Sequence, residues 1–240
     1  MARRRFFVDQ VYQGQAEIAG ENAQHLTRVL RAEVGQKFEI SDNDRVWLAE
    51  VSLTRRDLVR FTLLEELEQG PAPAPVTLYL ALIKFDRFEW AVEKATELGV
   101  TRIVPVSAER SDRGLFEGAQ KRVERWRRIA REAGEQSRRQ HFPVIQDPMK
   151  IRAALADSSK YRIWFDEEPG APPLLNVIGG AAGEPVACLV GPEGGWAPAE
   201  RLQFPEAGWM AASLGPLVLR AETAVCAALA VIAQLRARYN

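Results

Sequence analysis

The sequence has few of the residues that build metal centres, and it has no excess of charge of either sign. Its 240 residues include only two cysteines and two histidines, and 32 Lys and Arg balance 32 Asp and Glu. Cys188 and Cys226 lie in apolar runs without metal-ligand spacing, which is typical of buried thiols in a reducing compartment. We therefore expect no metal site, because structural zinc requires four suitably spaced Cys or His ligands.

Long apolar runs are also missing. No stretch approaches the roughly 18 apolar residues of a membrane span. The basic start, Met1-Ala-Arg-Arg-Arg-Phe-Phe-Val8, lacks the apolar core of a signal peptide, since Asp9 and Gln10 follow at once. With 47% hydrophobic and 27% charged residues, the chain has the composition of a globular protein with a sizeable core. We expect a cytoplasmic protein without a membrane partner.

The zero net charge hides an uneven distribution. Residues 110–152 contain twelve basic and six acidic side chains, whereas acids outnumber bases after Asp157. A locally basic face can bind phosphate even on a neutral protein, because salt confines each charge to roughly 8–10 Å. The alternative is that the arginines of residues 121–139 form an ordinary solvated helix face.

A proline-rich segment marks a boundary. Gly70-Pro-Ala-Pro-Ala-Pro75 favours an extended connector and excludes a helix, so it divides the chain into residues 1–70, a linker at 71–75 and residues 76–240. The first part holds short segments rich in β-branched and aromatic residues, and one helix that Asn22 is placed to cap. This pattern predicts a small β-barrel. The predicted strands are residues 6–8, 15–18, 37–40, 46–53 and 58–64, and the helix is residues 21–30.

The second part alternates between strands and helices. This order predicts an α/β domain with a mostly parallel sheet flanked by helices. Residues 185–190 are wholly apolar, as expected of a central parallel strand. The predicted strands are residues 76–83, 102–106, 162–165, 185–190 and 209–214, and the helices are residues 88–98, 117–138 and 221–237.

Two segments near the C-terminus have the composition of ligand-binding loops. The first, Leu189-Val-Gly-Pro-Glu-Gly-Gly-Trp196, runs from an apolar strand into three glycines, which let backbone N–H groups approach a ligand closely. It has neither the Gly-x-Gly-x-x-Gly nor the Walker pattern, which argues against dinucleotide and nucleoside triphosphate sites. The alternative is a tight strand-to-helix turn.

The second segment is Ser213-Leu-Gly-Pro-Leu-Val-Leu-Arg-Ala-Glu-Thr-Ala224. Arg220, Glu222 and Thr223 open an apolar helix, and Glu222 or Thr223 is a candidate cap. Charged side chains are unusual where a buried sheet ends. The alternative is a capped helix with an Arg–Glu surface pair.

Together these segments resemble the cofactor site of the SPOUT methyltransferases, most closely the 16S ribosomal RNA (uracil-N3)-methyltransferase family. The resemblance extends over nearly the whole chain, and its blocks are specific in their order and spacing. They are Arg4-Arg-Phe-Phe7, His25-Leu-Thr-Arg-Val-Leu-Arg31, Val34-Gly35, Lys84-Phe-Asp-Arg87, Glu89-Trp90, Lys94, Glu97-Leu-Gly-Val100, Arg110-Ser111, Arg125-Trp126, Glu132-Ala133 and Glu135-Gln-Ser-Arg138.

This resemblance implies a C-terminal trefoil knot, a PUA-like first domain that binds RNA, and a homodimer. It also implies S-adenosyl-L-methionine as cofactor and small-subunit ribosomal RNA, on the assembled 30S subunit, as partner. The reaction would be methylation of uracil N3. One position departs from the family pattern: Leu217 stands where members usually have arginine, and Arg220 is the obvious substitute.

The chemistry of that reaction assigns roles to the residues. N3 carries a proton, so its methylation needs a proton acceptor or a field that favours the uracil anion. The uracil must also leave its stack to react. We expect Arg220 to stabilise the uracil anion and Glu193 to accept the proton. The predicted cofactor-binding residues are Leu189, Gly191, Pro192, Gly194, Gly195, Ser213, Leu214, Gly215, Leu219, Glu222 and Thr223, and the predicted RNA-binding residues are Arg4, Arg5, His25, Arg28, Arg31, Lys84, Arg87, Arg110 and Arg138.

Two alternatives remain open at this stage. The first is a ribose 2′-O-methyltransferase on the same fold, against which the blocks at residues 84–87 and 132–138 argue. The second is a non-catalytic RNA-binding or ribosome-assembly factor. An additional argument for the dimer is that Trp196, Trp209 and the helix at residues 221–235 offer more apolar surface than a small sheet needs.

Overall fold

The computed structural model describes residues 4–70, 72–181 and 183–237. Its contacts divide the chain into two compact units. The first unit combines the chain up to residue 70 with residues 134–142, and the second combines residues 72–133 with the chain from residue 143 onward. Residues 1–3 of the predicted first domain and Pro71 of the predicted linker lie outside the described residues.

The first unit is a six-stranded sheet with one helix. The strand order is β1-β4-β5-β6-β3-β2; β1 pairs parallel with β4 and the other pairs are antiparallel. Alternate residues such as Ala16 and Ile18 face the core, as the two-residue period of a strand requires. The predicted β-rich fold is confirmed. Its elements are β1 (Arg5–Phe7), β2 (Val11–Tyr12), β3 (Gln15–Ala19), α1 (Gly20–Arg28), β4 (Lys37–Ser41), β5 (Val46–Arg55) and β6 (Leu58–Glu66).

The start of α1 differs from the prediction. The helix begins at Gly20, directly after β3, so Asn22 lies inside its first turn. Ala19 occupies the cap position without a side-chain hydrogen bond, and the Gly20 N–H donates to Asp57 O at 3.0 Å. The prediction that Asn22 caps the helix is therefore wrong, because the strand passes into the helix without a linking turn.

The first unit also contains a segment that the sequence assigns to the second part. Arg138 Nη2 donates to Glu39 Oε1 at 3.0 Å, and the Phe142 N–H donates to Asn43 Oδ1 at 2.9 Å. Arg5 donates to both Glu39 and the Arg138 carbonyl. These bonds attach residues 134–142 to the first sheet, although they are about a hundred residues away in the chain.

The second unit is built on a parallel sheet. The strand order is β10-β8-β7-β12-β11-β13, β9 also pairs with β8, and every recorded pair is parallel. The predicted α/β fold and the central position of the 185–190 strand are confirmed. The elements are β7 (Val76–Ala81), α2 (Phe85–Glu97), β8 (Arg102–Ser107), α3 (Leu115–Gln120), α4 (Val123–Gln136), β9 (Val144–Ile145), β10 (Met149–Lys150), α5 (Ile151–Ala154), β11 (Tyr161–Phe165), α6 (Leu174–Ile178), β12 (Val186–Val190), α7 (Pro198–Glu206), β13 (Met210–Ala212) and α8 (Ala221–Ala237).

Each face of this sheet has its own apolar core. Along β12, Cys188 packs into the core shared with α2 and α8, whereas Leu189 packs into the core shared with α7. Trp196 and Trp209 belong to the latter core and are almost completely buried. They are therefore not exposed surface, and the argument for a dimer that rests on these two tryptophans is wrong.

The predicted long helix at residues 117–138 is two helices. The chain breaks between α3 and α4, and Trp126 in α4 then packs against Phe88 with ring centroids 4.3 Å apart. Within the described ranges, no helix is both long enough and apolar enough to cross a membrane.

Candidate functional site

The ends of three neighbouring parallel strands surround a cavity of about 520 Å³ in the second unit. β11 lies between β12 and β13, so all three strands end at the same edge of the sheet. Residues 191–196, here called the glycine loop, follow β12, and residues 213–220, the second loop, follow β13. The cavity is lined by Arg87, Phe165, Asp166, Glu167, Val190, Gly191, Pro192, Glu193, Gly194, Gly195, Leu214, Gly215, Leu217, Val218, Leu219, Arg220, Ala221 and Ala224.

The structure brings most of the predicted cofactor and catalytic residues to this cavity. Four predicted cofactor residues do not line it. Leu189 is buried on the other face of the sheet, and Ser213 hydrogen-bonds with the backbone of Gly215. Glu222 and Thr223 lie in the first turn of α8. Neither is the cap, because Arg220 precedes the helix and its carbonyl accepts the first helical hydrogen bond, from the Ala224 N–H.

The glycine loop is folded too tightly for side chains at two positions. Gly195 has φ +67°, and a Cβ there would overlap a carboxylate oxygen of Glu167. A Cβ at Gly191 would lie 3.0 Å from the Trp196 ring, whose indole N–H donates to the Phe165 carbonyl at 2.8 Å. This hydrogen bond ties the glycine loop to the end of β11.

One wall of the cavity is acidic, and the sequence analysis missed it. Asp166 and Glu167 follow β11 directly, and Arg201 of α7 donates to both, at 2.9 Å and 2.8 Å. The Arg201 side chain also donates to the Trp196 carbonyl, which connects the acidic wall to the glycine loop. The signal that could have revealed this wall is the run Asp166-Glu167-Glu168 immediately after a buried strand.

A group of charged side chains from three elements lies at the cavity or next to it, and Arg87, Glu193 and Arg220 of this group line it. Arg87 of α2 is ion-paired with Glu193 of the glycine loop, and its Nε lies 4.0 Å from Glu222 Oε1. Glu222 Oε2 is buried and accepts no hydrogen bond from the described residues. Arg220 is exposed at the cavity and has no ion pair within the part of the chain that the structure describes.

The other predicted RNA-binding residues fall into two groups. Arg110 lies beside the glycine loop, where its Nη1 donates to the Gly194 carbonyl at 3.1 Å, and Lys84 is exposed at the start of α2. In the first unit Arg5 is only 7% exposed and is bound to Glu39. The guanidinium of Arg5 is thus an internal ion-pair partner, and its contact with RNA stays a prediction. Arg4, His25, Arg28 and Arg31 are exposed, and Arg138 is bound to Glu39.

The arginines of α4 and the residue just before it are largely engaged within the second unit. Arg122 and Arg125 both donate to Glu89 of α2, and the hydrogen bond from Arg125 is the main cause that holds the pKa of the Glu89 carboxyl below its ordinary value. Arg127 donates to the Ile145 carbonyl. These bonds favour the interpretation of this basic stretch as a structural helix face rather than a phosphate-binding surface.

The cavity suits a ligand that has an apolar ring system and a positively charged part. Its volume falls in the range of small-molecule sites. Leu214 and Leu219 supply apolar walls, the glycine loop supplies main-chain groups, and Asp166 and Glu167 supply negative charge. Within the described residues there is no cluster of three or more His, Cys, Asp or Glu side chains that could hold a metal ion.

Known proteins are similar to this chain both in sequence and in fold. Residues 70–233 match the RNA methyltransferase domain family, and residues 18–64 match the RNA methyltransferase PUA domain family. Ribosomal RNA small subunit methyltransferase E of Synechocystis sp. is 33% identical over 93% of this chain and 74% of its own length. The protein of the same name in Bacillus subtilis is 31% identical over 95% of this chain and 95% of its own.

Two similar solved structures contain a cofactor. Ribosomal RNA small subunit methyltransferase E from Neisseria gonorrhoeae, bound to S-adenosyl methionine, superposes with a TM-score of 0.86 at 28% identity and covers 98% of each chain. A methyltransferase from Legionella pneumophila in complex with the same cofactor has a TM-score of 0.83 at 27% identity, over 97% of each chain.

Proposed function

Because the chain belongs to the RNA methyltransferase family, we propose that it methylates N3 of a uridine in 16S ribosomal RNA with S-adenosylmethionine as donor. The observation that carries this proposal is the cavity at the ends of β11, β12 and β13, where the two predicted loops meet. The names of the relatives support the small ribosomal subunit as substrate, and the resemblance of the motifs supports uracil N3.

The cofactor, when bound, supplies a methyl group on a positively charged sulfur. Main-chain groups of Gly191 and Gly195 are suited to hydrogen-bond the polar edge of its adenine, and Leu214 and Leu219 are suited to enclose the ring. The carboxylate of Glu167 adds negative charge to the same cavity, which favours a cationic ligand electrostatically.

Two side chains of the cavity fit the needs of uracil. Arg220 is exposed and free of a carboxylate partner among the described residues, so its guanidinium is available to stabilise the negative charge that develops on the base. Glu193 lies in the same cavity and is our proton acceptor for N3. Arg110, bound to the Gly194 carbonyl, and the exposed Lys84 are suited to bind the phosphates next to the target base.

We assign residues 1–70 to RNA binding, 71–75 to the linker, and 76–240 to methyl transfer and dimerisation. In the first unit, four exposed basic side chains support phosphate contact, namely Arg4, His25, Arg28 and Arg31. Salt should weaken this contact steeply.

Trp90 of α2 is 44% exposed, which favours the face formed by α2 and α8 as the dimer contact. A trefoil knot, a cytoplasmic location and action on the assembled 30S subunit complete the proposal.

The decisive test is nucleoside mass spectrometry of small subunits from a deletion strain, after incubation with the purified protein and isotope-labelled cofactor. We expect the label in 3-methyluridine. Label in a ribose-methylated nucleoside would replace our proposal by the 2′-O reaction. No label, together with no cofactor binding in calorimetry, would favour a non-catalytic assembly factor.

A further inference from the structure

Arg87 lies near two carboxylates, of which Glu193 is in close contact and Glu222 is further away. Its guanidinium is ion-paired with Glu193, and its Nε lies 4.0 Å from Glu222 Oε1. Glu222 is mostly buried, with 14% of its side chain exposed, and its Oε2 has no hydrogen-bond partner among the described residues. A buried acceptor without a donor is unusual, because it loses its hydrogen bonds to water and gains none in return.

The pairing with Arg87 conflicts with the proposed role of Glu193. A carboxylate that accepts a hydrogen bond from a guanidinium is stabilised in its charged form and is a weaker proton acceptor. Glu193 must therefore leave Arg87 before or while it takes up a proton. Only 29% of the Arg87 side chain is exposed, so water hydrates its charge incompletely. A new carboxylate partner therefore stabilises Arg87 when Glu193 leaves it.

We propose that Glu222 is a positioning residue that receives Arg87 when Glu193 is released for the reaction. This inference rests on the proposed function. In the proton transfer the N3–H bond breaks, its electron pair stays on N3, and the proton joins the Glu193 carboxylate. Neutral Glu193 no longer attracts Arg87, and the guanidinium moves to the unoccupied oxygen of Glu222.

The surroundings of Glu222 support this role. It lies in the first turn of α8, where the helix dipole favours a negative charge. Lys94, a cation further along α2, is bound by Glu93 and Glu97, and Cys226 is the other titratable group nearby on α8. Arg87 is thus the cation placed to neutralise Glu222.

Nuclear magnetic resonance of the full chain tests the movement without turnover. Glu193→Gln imitates the neutral acceptor, and Arg87→Lys assigns the Arg87 Nε–H signal. We expect the exchange of this proton with water to slow about tenfold in Glu193→Gln, because it gains a charged partner. The added substitution Glu222→Gln should abolish that protection. Equal exchange in Glu193→Gln with and without Glu222→Gln overturns the proposal.

Single-turnover methyl transfer provides the second measurement. Glu222→Gln should slow it about tenfold with an unchanged cofactor Kd, and should cause no further loss in an Arg87→Ala background, because the two residues act as one unit. Glu97→Gln, an equivalent change on α2 away from the cavity, should match the wild type. Additive losses, or a wild-type rate for Glu222→Gln, contradict the proposal.

If Glu222→Gln lowers Tm so far that the protein is unfolded at the assay temperature, Glu222→Met replaces it. This variant has a side chain of similar length without a carboxylate, so the expectations are the same. If the wild-type protein transfers no methyl group, the proposed function fails, and the exchange of the Arg87 proton still decides whether Glu222 receives Arg87.

Discussion

The indole N–H of Trp196 donates a 2.8 Å hydrogen bond to the carbonyl oxygen of Phe165. Trp196 ends the glycine loop and Phe165 ends β11, so this bond joins the two elements that enclose one side of the cavity. Both groups are buried, and neither can be hydrated if the bond is lost. The position of the glycine loop therefore depends in part on the buried side chain of Trp196.

We expect Trp196→Phe to destabilise the protein by about 1–3 kcal/mol, because it removes the donor and leaves the Phe165 carbonyl unsatisfied. The binding of S-adenosylmethionine should weaken as well. Chemical denaturation and calorimetry measure the two effects. Tyr12→Phe, which removes a polar group from an aromatic side chain that is 69% exposed, is the control and should change stability by less than about 0.5 kcal/mol. Equal stability of both variants would contradict this prediction.

Gly195→Ala should reduce cofactor affinity at least tenfold, by roughly 1.4 kcal/mol or more in binding free energy. The new Cβ would overlap the Glu167 carboxylate and would force a positive φ on alanine. Gly183→Ala is a matched control, since no atom lies within 4 Å of the added Cβ and its φ is ordinary. Titration calorimetry compares them, and an unchanged Kd for Gly195→Ala would show that the glycine loop does not hold the cofactor.

Arg5→Ala should destabilise the protein by about 3–5 kcal/mol, because it leaves the buried Glu39 carboxylate without its main partner. Arg28→Ala, at an exposed arginine of α1, should leave stability within about 0.5 kcal/mol and should weaken RNA binding. Thermal unfolding and RNA titration of both variants separate the two roles. If Arg5→Ala lowered RNA affinity alone, the structural role that we give to Arg5 would be wrong.

Leu217→Arg should strengthen RNA binding and steepen its salt dependence by about one charge. Leu217 is 77% exposed and lines the cavity beside Arg220, so a cation there would reach the same RNA surface without a packing penalty. Leu202→Arg places the same charge on the exposed side of α7 and should leave binding unchanged. The affinity of each variant for RNA is measured at several salt concentrations. Equal slopes of log affinity against log salt concentration for both variants would contradict the prediction.

Arg220→Ala should slow single-turnover methyl transfer about a hundredfold or more, as expected when a cation that stabilises a developing anion is removed. Stability should change little, because the side chain is exposed and has no ion pair among the described residues. Methyl transfer by the Glu193→Gln variant should also be slow, because the proton acceptor is lost. Rates close to the wild type for both variants would refute the catalytic assignment.

Local patterns in the sequence predicted most of the fold. The alternation of apolar strands with amphipathic helices predicted the parallel sheet, and the wholly apolar residues 185–190 predicted its centre. The two loops were recognisable because glycine and proline act on their own backbone, whatever the rest of the chain does. Helix ends were predicted less well, as the start of α1 and the break before α4 demonstrate.

The sequence by itself therefore determined the fold class, the two loops and the family of this protein. Only the tertiary structure decided which charges belong to the site. Arg5 and Glu39 are 34 residues apart, Arg87 and Glu193 are 106 apart, and no local pattern relates them. The reason is physical: an arginine pairs with the carboxylate that the chain path brings within hydrogen-bond distance, and that path is set by the packing of the sheets and helices. Burial of Trp196 and the acidic wall at Asp166 and Glu167 were decided in the same way.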